Sequence, residues 1–479
     1  MSTNSERVLP GGSGAAWPLH SAAQTRSLET RPGPAGHSLM QTAGLAAARL
    51  ALALAPHARH IWIACGPGNN GGDGLEAARH LQQWGKAAHV SLLQPPAATQ
   101  TDCHAAWQAA RQAGVPIHDQ PPADWDLCLD ALFGLGATRA PHGTYADWIA
   151  RMNAAAAPTL ALDLPSGLDA DTGHSTTPHV QAQATLSLLT LKPGLFTASG
   201  RDACGDIWFA NLGVTDAPAP SAYLSGAPAA LARPHASHKG SMGDVCVIGG
   251  ASGMAGAALL AARSALHAGA GRVFVCLLDP AAPAMDPAQP ELMLRPLNSL
   301  ALDGMQLVLG CGGGLAMGAA LPALLPHAGA VVIDADALNR IAEQPALQAL
   351  LQQRAGRPTV LTPHPLEAAR LLQCTAAQVQ ADRLGAAQAL AARYPATVVL
   401  KGSGTVIAQS GHTPCINPTG NARLATPGSG DVLAGLIGAH LAAGVPALEA
   451  ARDAVYRHGL AADRASGTVL TAAALCQWH

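Results

Sequence analysis

Residues 66–74, in the first half of the chain, have the composition of a ligand-binding loop. The run reads GPGNNGGDG and directly follows the apolar residues 61–65. Glycine accepts positive φ and lets the backbone approach a ligand closely. A strand that leads through such a turn into a helix presents free N–H groups to an anion. The run therefore predicts an anion or nucleotide site, and a tight turn without a ligand is the alternative.

Polar residues follow three further predicted strands of the first half: Asp130, Asp163 with Ser166, and Lys192. Because ligands of open α/β sheets bind beyond the carboxyl ends of the strands, we expect these residues and the 66–74 run to line one crevice. Their oxygen atoms suit a hard cation. The sequence shows no His/Cys cluster here of the kind that would indicate a zinc site. The alternatives are structural: a turn or helix cap for Asp130, turn-shaping roles for Asp163 and Ser166, and a solvated surface position for Lys192.

In the second half, a glycine-rich segment precedes an apolar helix and ends in an acid. Residues 428–430 read Gly-Ser-Gly, and Asp431 follows them. The free N–H groups and the positive end of a helix can stabilise a developing phosphoryl charge. An aspartate in the first turn can accept a proton from a substrate hydroxyl. The alternative is that Asp431 only complements the helix dipole.

Four other predicted strand ends in this half carry polar or glycine-rich sequences. Residues 401–405 read KGSGT and can approach nucleotide phosphates, although they lack the spacing of a Walker A motif. The remaining ends are residues 310–314, Asp334 with Asp336, and His364. Structural alternatives again apply: capping carboxylates for the two aspartates, a turn residue for His364, and an exposed lysine at the start of the KGSGT run.

Short apolar runs alternate with Ala-rich helical segments, which is typical of βαβ units on a parallel sheet. The predicted strands of the first half are residues 60–64, 88–93, 127–131, 159–162, 184–189 and 206–209. Its predicted helices are residues 39–54, capped by Ser38, and residues 74–84, 102–113 and 145–155. In the second half the predicted strands are residues 244–248, 272–277, 305–309, 330–333, 359–361 and 397–400. The Pro-rich segment 216–220 predicts a linker, so we divide the chain into two α/β domains, residues 1–220 and 221–479.

Composition excludes several classes of protein. Of the 479 residues, 49% are hydrophobic and 12% charged, the net charge is −2, and no basic stripe indicates nucleic-acid binding. The ten cysteines form no CxxC pairs, which favours reduced thiols over a disulfide framework. No signal peptide or membrane span is predicted. We therefore expect a cytoplasmic protein.

The first half resembles the YjeF N-terminal family, the NAD(P)H-hydrate epimerases, over residues 20–213. The shared pieces are Leu39-Met40 with Ala43-Gly44, GPGNNGGDG, DALFGLG, LDLPSGLD and KPG. The resemblance implies a Rossmann-like doubly wound sheet and a potassium ion bound by Asn70, Asp130 and Ser166. The hydrate-binding residues that it implies are Asn69, Asn70, Gly71, Gly72, Asp73, Gly134, Leu135, Gly136, Ala137, Thr138, Arg139, Ala140 and Asp163.

Asp163 is our choice for acid–base catalysis in this half, with Lys192 as a second candidate. Its expected task is to assist the loss and return of the hydroxyl group on C6 of the hydrated nicotinamide. The presence of Asn70, Asp130 and Ser166 beside it argues against a non-catalytic interaction module.

The second half resembles the ribokinase-like YjeF C-terminal family, the ADP- or ATP-dependent NAD(P)H-hydrate dehydratases, over residues 235–465. The shared pieces are GGASGMAGAALLAARSAL, DADALN, TPHPLEAARLL, KGSGTVI and NPTGNARLATPGSGDVLAG. The nucleotide-binding residues that the resemblance implies are Lys401, Gly402, Ser403, Gly404, Thr405 and Gly430. The implied hydrate-binding residues are Ala257, Gly312, Gly314, His364 and Asp431. One departure is Cys311 where the family usually has proline, with Gly313 where leucine is common; a more flexible loop is expected.

These resemblances together predict a bifunctional repair enzyme that uses K⁺, Mg²⁺ and ADP. Asp431 is expected to deprotonate the C6 hydroxyl of the (S)-hydrate, whose oxygen attacks the terminal phosphoryl group of ADP. The expected partners are NAD(P)H hydrates and ADP, without nucleic acid or membrane, in a homo-oligomer. The alternative is a ribokinase-like kinase of a small hydroxylated metabolite, fused to a non-catalytic Rossmann-like module.

Overall fold

The protein is described by a computed structural model that covers residues 5–9, 16–31, 38–136, 139–175, 177–229 and 235–477. The chain forms two units, the first built mainly from Trp17–Tyr223 and the second from Leu224–His479. Within the described ranges, no helix combines the length and hydropathy that crossing a membrane requires. All ten cysteines are free thiols.

The first unit is an α/β unit whose strands and helices alternate along the chain. Its strands are β1 (Glu6–Arg7), β2 (Trp17–Leu19), β3 (His60–Cys65), β4 (Ala87–Ser91), β5 (Ile117–His118), β6 (Leu127–Ala131), β7 (Thr159–Leu162), β8 (Ala184–Leu188) and β9 (Asp206–Ala210). Eight of them form a sheet in the order β1-β9-β8-β7-β6-β3-β4-β5. Neighbours are parallel except β1 and β9. The central strands are buried almost throughout, which explains their continuous apolar sequences.

The helices of the first unit are α1 (Ala22–Glu29), α2 (Leu39–Leu54), α3 (Asn69–Gln83), α4 (Thr101–Gln112), α5 (Thr144–Ala154) and α6 (Gly200–Ala203). The predicted bounds of α2 are confirmed, and the Ser38 side chain accepts a hydrogen bond from the Gln41 N–H at 3.2 Å, as its predicted capping role requires.

The predicted start of α3 at residue 74 is wrong, because the helix begins at Asn69. Most of the GNNGGDG sequence is therefore the first turns of a helix, and only residues 66–68 form the turn. Glycine permits this path: a Cβ on Gly71 would lie 2.0 Å from the Gly66 carbonyl oxygen. The absence of side chains lets the helix start directly against the end of β3.

The second unit is also an α/β unit, and strand β10 (Ala222–Leu224) spans the boundary before it. Its further strands are β11 (Asp244–Gly249), β12 (Arg272–Leu277), β13 (Met293–Leu294), β14 (Gln306–Leu309), β15 (Val331–Ile333), β16 (Thr359–Leu361), β17 (Thr397–Leu400), β18 (Val406–Ala408) and β19 (Cys415–Ile416). These nine lie in the order β13-β12-β11-β14-β15-β16-β17-β18-β19. Pairing is parallel up to β17 and antiparallel beyond it.

Helices flank this second sheet, and one of them begins within the Gly-Ser-Gly-Asp sequence. They are α7 (Ala255–His267), α8 (Ala316–Leu324), α9 (Ala335–Glu343), α10 (Pro345–Gln352), α11 (Pro365–Leu372), α12 (Ala376–Ala381), α13 (Arg383–Arg393), α14 (Ser429–Ala442), α15 (Ala447–Arg464) and α16 (Ala472–Leu475). Gly428 precedes α14 with φ +89°, in the left-handed region that favours glycine. Asp431 therefore lies in the first turn of α14, as predicted.

Candidate functional sites

A cavity of about 650 Å³ opens at the carboxyl ends of the first unit's strands. The predicted residues that line it are Asn69, Asn70, Asp73, Gly134, Leu135, Gly136, Arg139, Ala140 and Asp163. The predicted residues Gly71 and Gly72 do not line it. A Cβ on Gly72 would lie 2.5 Å from the Met40 sulfur, so this glycine allows close packing of α3 on α2. Ala137 and Thr138 lie outside the described residues.

Asp163 is held at the end of β7 by a buried ion pair. Lys192 donates to its carboxylate, and the Lys192 side chain has no exposed surface. The Leu188 N–H also donates to this carboxylate at 3.2 Å, and the Asp163 backbone has φ +67°. The alternative that Lys192 is a solvated surface lysine is therefore wrong. Asp163 lines the cavity, whereas Lys192 does not.

Asp130 and Ser166 form a second polar group, which does not line the cavity, although one shared crevice was expected. The Ser166 hydroxyl donates to the Asp130 carboxylate at 2.7 Å, and the Ser166 N–H donates at 2.8 Å. Burial raises the pKa of Asp130 to about 6, although these hydrogen bonds oppose the shift. Nearby, the buried carboxamide of Asn70 has no hydrogen-bond partner on either its oxygen or its nitrogen. A buried polar group without a partner is costly, so the Asn70 oxygen is free to bind a cation.

Helix α1 contributes three cavity residues that sequence reasoning missed, namely Thr25, Arg26 and Glu29. The helix begins with a capping box in which the Ser21 hydroxyl accepts from the Gln24 N–H and the Gln24 side chain accepts from the Ser21 N–H. The Ser-x-x-Gln spacing is a sequence signal for a helix start. It predicts the helix, but nothing in it indicates that the helix covers a cavity formed by later strands.

In the second unit, Lys401 forms its ion pair with Asp334 rather than with Asp431. Lys401 Nζ lies 2.7 Å from Asp334 Oδ1, and the Thr362 hydroxyl donates to the same oxygen at 2.8 Å. Asp334 stands at the N-cap position of α9 but its side chain makes no cap hydrogen bond. Lys401 is 20% exposed and ion-paired, so the alternative of an exposed, solvated lysine is wrong.

Asp431 lies beside this pair without sharing its lysine contact. Burial, reinforced by the negative charge of Asp334, raises the pKa of Asp431 to about 7. The donor atoms of Cys311, Asp334 and Asp431 all lie within 4.8 Å of one another. A Cβ on Gly430 would lie 3.2 Å from Lys401 Nζ, so the start of α14 packs against the lysine head. A titratable carboxyl, a cation and helix N–H groups therefore meet at one point.

The other predicted residues of this unit surround that point to different degrees. A Cβ on Gly312 would lie 2.9 Å from the Ala257 Cβ, so these two predicted hydrate-binding residues are adjacent. The Gly314 N–H donates to the Asp336 carboxylate at 2.8 Å. His364 Nδ1 accepts from the N–H groups of residues 366 and 367, so His364 caps α11, a role that differs from the turn residue of its structural alternative. The Thr405 hydroxyl donates to the Gly402 carbonyl at 3.1 Å within the KGSGT turn.

Comparison with known proteins places both units. A family model described as YjeF-related protein N-terminus matches residues 36–194, and one described as NAD(P)H-hydrate dehydratase matches residues 245–477. A protein of Escherichia coli K12 named bifunctional NAD(P)H-hydrate repair enzyme Nnr is 36% identical, over 89% of this chain and 85% of its own. The chain belongs to the bifunctional NAD(P)H-hydrate repair enzyme family.

Other members of the bifunctional NAD(P)H-hydrate repair enzyme family show similar coverage. The protein of Coxiella burnetii is 35% identical over 94% of this chain and 95% of its own, and that of Moorella thermoacetica is 38% identical over 85% and 83%. Among solved structures, an ADP/ATP-dependent NAD(P)H-hydrate dehydratase from Bacillus subtilis is 30% identical, with 51% of this chain and 90% of that chain covered and a TM-score of 0.44. The family and the α/β fold class predicted from the sequence are confirmed, whereas the individual site residues stay predictions.

Proposed function

We propose that this chain repairs hydrated nicotinamide nucleotides in two steps. Residues 1–220 interconvert the (R)- and (S)-hydrates of NADH and NADPH, and residues 221–479 dehydrate the (S) form at the expense of ADP. One observation carries the proposal: in each unit, the predicted acid–base carboxyl lies at a lysine–aspartate ion pair at the carboxyl ends of the strands. Asp163 is a member of its pair, and Asp431 lies beside the pair of Asp334 and Lys401. Relatives matching both units bear the name of this bifunctional activity.

In the second unit, Asp431 is the base. It takes the proton of the C6 hydroxyl, and the hydroxyl oxygen forms a bond to the terminal phosphorus of ADP while the bond to AMP breaks. The C6–O bond of the phosphate ester then breaks, assisted by the electron pair of the ring nitrogen, and loss of a C5 proton restores NAD(P)H. Residues 401–405 and Gly430 contact the nucleotide; Ala257, Gly312, Gly314 and His364 contact the hydrate.

Mg²⁺ is expected with the nucleotide, where it neutralises phosphate charge. The group formed by Cys311, Asp334 and Asp431 does not fit a protein-held magnesium site, because a thiol is a poor magnesium ligand and Asp334 is already engaged by Lys401. The metal is therefore expected to bind through the phosphates rather than through this cluster.

In the first unit, we propose that K⁺ is held by Asn70, Asp130 and Ser166. The unpartnered Asn70 carboxamide and the fully buried Asp130 carboxyl support this assignment. A cation would supply the partner that Asn70 lacks, and it would balance the charge of Asp130, which accepts hydrogen bonds from Ser166. The bound ion would order the strand ends below the cavity. Asn69, Asp73, Arg139 and the other lining residues of the cavity would then contact the hydrate.

The deciding experiment is conversion of a mixed-epimer hydrate pool, followed by the absorbance of the reduced nicotinamide. We expect full recovery with ADP, weaker recovery with ATP, and a loss of the (R) portion when K⁺ is replaced by Li⁺. A stable phosphorylated product without regained absorbance would favour the metabolite kinase. A cytoplasmic location and a homo-oligomeric state remain parts of the proposal, and the ten free thiols fit the former.

A further inference from the structure

Inversion at C6 raises a geometric problem for the first unit. If the hydroxyl leaves one face of the ring and water returns to the other, proton transfer is needed on both faces. Asp163 is immobilised by Lys192, by the Leu188 N–H and by its left-handed backbone. It cannot swing from one face to the other. A second acid–base group on a different wall of the cavity is therefore required, given the proposed epimerase function on which this inference rests.

Helix α1 forms such a wall and is fixed in place. The Thr25 hydroxyl lies 2.7 Å from the Thr190 hydroxyl in a buried contact just beyond β8. The Arg26 guanidinium donates to the Leu135 carbonyl in the 134–136 segment of the cavity wall. Glu29 follows four residues after Thr25 and three after Arg26, so all three side chains share one face of the helix. That face lines the cavity.

The surroundings of Glu29 favour its protonated form. Desolvation by the cavity walls comes first, and the charge of Asp163 adds to it, so the pKa of Glu29 is raised. Lys192, Arg26 and a hydrogen bond with the Asn69 side chain oppose the shift. The charged groups that face Glu29 are thus Asp163, Lys192, Asp73 and Arg26. As the last residue of α1, Glu29 also lies at the negative end of the helix, which disfavours a carboxylate.

We propose that Glu29 is the second catalytic residue of the epimerase site, giving its proton to the C6 hydroxyl while Asp163 accepts a proton from the water that adds to the opposite face. The ring-nitrogen electron pair forms an N–C6 double bond as the C6–O bond breaks, and the hydroxyl leaves as water. The incoming water oxygen bonds to C6, and the electron pair returns to nitrogen. Glu29 is then ionised and Asp163 protonated, which is the state needed for the reverse inversion.

Asp73 is the competing candidate for this role, because burial raises its pKa well above the usual range. It belongs to α3 and interacts with the buried thiols of Cys65 and Cys103. Glu29 is exposed, whereas Asp73 is only partly exposed, so Glu29 can exchange its proton with solvent more readily between turnovers. Glu29 therefore fits a residue that must reset its protonation state, whereas Asp73 fits a fixed contact to the substrate.

The test uses the full chain with excess ADP and a mixed-epimer pool, in which the (S) form reacts in a fast phase and the (R) form in a slow phase. Glu29→Gln is expected to leave the fast phase unchanged and to lower kcat of the enzyme-dependent slow phase by at least about 10²-fold. Glu29→Asp should regain part of it. The matched control is Asp124→Asn, an exposed carboxyl of the same unit. In the wild type, the slow phase should weaken as pH rises through the pKa of Glu29, and this limb should vanish in Glu29→Gln.

Three outcomes would overturn the inference. One is a slow phase in Glu29→Gln equal to that of Asp124→Asn; another is a rise in KM with unchanged kcat, which would make Glu29 a binding contact. The third is loss of the pH limb in Asp73→Asn but not in Glu29→Gln. A wild-type protein that converts only the (S) form would instead overturn the proposed epimerase activity itself, together with the role of Glu29. Thermal melting of each variant separates these results from misfolding.

Discussion

Both units contain a lysine–aspartate ion pair, but the predicted acid–base aspartate belongs to the pair only in the first unit. In the first unit, the aspartate that is paired with lysine, Asp163, is the one that faces the cavity. In the second, Lys401 is paired with Asp334, and the unpaired Asp431 stands at the start of α14 with a pKa raised to about 7. An aspartate near a lysine is thus a catalytic candidate in one unit and a supporting residue in the other. Under the proposed function, the acid–base role goes to the carboxyl that faces the substrate, whether or not that carboxyl is ion-paired.

The largest expected effect comes from removing the unpaired carboxyl. Asp431→Asn should lower dehydration of pure (S)-hydrate by about 10²- to 10⁴-fold, the usual contribution of a positioned base. Epimer exchange should be unchanged. The initial rate of absorbance gain with ADP measures dehydration. The control is Asp303→Asn, which changes an exposed carboxyl of the same unit. Retained dehydration in Asp431→Asn would remove the contrast between the two units.

Removing a lysine should harm the first unit more than the second. Lys192→Ala leaves the buried Asp163 carboxylate without its partner, which typically costs about 3–5 kcal/mol. Lys401→Ala should cost less, because Lys401 is 20% exposed and water can replace it. Amide hydrogen exchange, read separately for β7–β8 and for β15–β17, measures the local stability. Equal losses in both units would show that burial does not distinguish the two pairs.

Potassium should act on the first unit alone. Asn70→Ala is expected to raise the K⁺ concentration for half-maximal epimerisation roughly tenfold, equivalent to about 1.4 kcal/mol for one lost ligand. The rate on pure (S)-hydrate should not respond. A titration of KCl at constant ionic strength gives the K⁺ dependence of epimerisation and that of the rate on pure (S)-hydrate. If Asn70→Ala responds to K⁺ as the wild type does, the assignment of Asn70 as a ligand fails.

The pH dependence should separate the two chemistries. Asp431 must be ionised to accept a proton, and its pKa is raised to about 7 by burial first and by Asp334 second. Dehydration of (S)-hydrate should therefore increase up to roughly tenfold per pH unit below pH 7 and level off above it. The measurement is kcat/KM from pH 5.5 to about pH 8.5. A flat profile would exclude titration of Asp431 from the rate.

The smallest effect is expected at Cys311. Its thiol makes a hydrogen bond with Asp431 that lowers the pKa of that carboxyl. Cys311→Ala should therefore shift the rising limb of the pH profile to higher pH. The rate near neutral pH should fall by less than about tenfold, which is less than the loss of a full charge-assisted hydrogen bond would cause. Cys311→Ser should stay closer to the wild type. An unchanged limb in Cys311→Ala would show that Asp334 and burial alone set the pKa of Asp431.

Much of the fold was predictable because apolar runs in parallel sheets are continuous and easily read. Strands β6, β7, β12, β16 and β17 have their predicted bounds. The short strands β13, β18 and β19, of two or three residues, were not predicted, because so few residues show no period. The start of α3 was misjudged because a run of glycines reads as a loop. In the structure, this run packs so closely against the end of β3 that a Cβ on Gly71 would lie 2.0 Å from the Gly66 carbonyl oxygen.

The amino-acid sequence by itself determined the two α/β halves, their family and the short list of polar residues at strand ends, since these depend on local patterns and motifs. The tertiary structure decided which carboxyls take a lysine and which stay unpaired, because Asp163–Lys192 and Asp334–Lys401 join residues from separate strand ends. It also placed Glu29 in the cavity wall. The raised pKa values of Asp431 and Glu29 follow from desolvation, which depends on packing around the side chain and is not visible in any local run of residues.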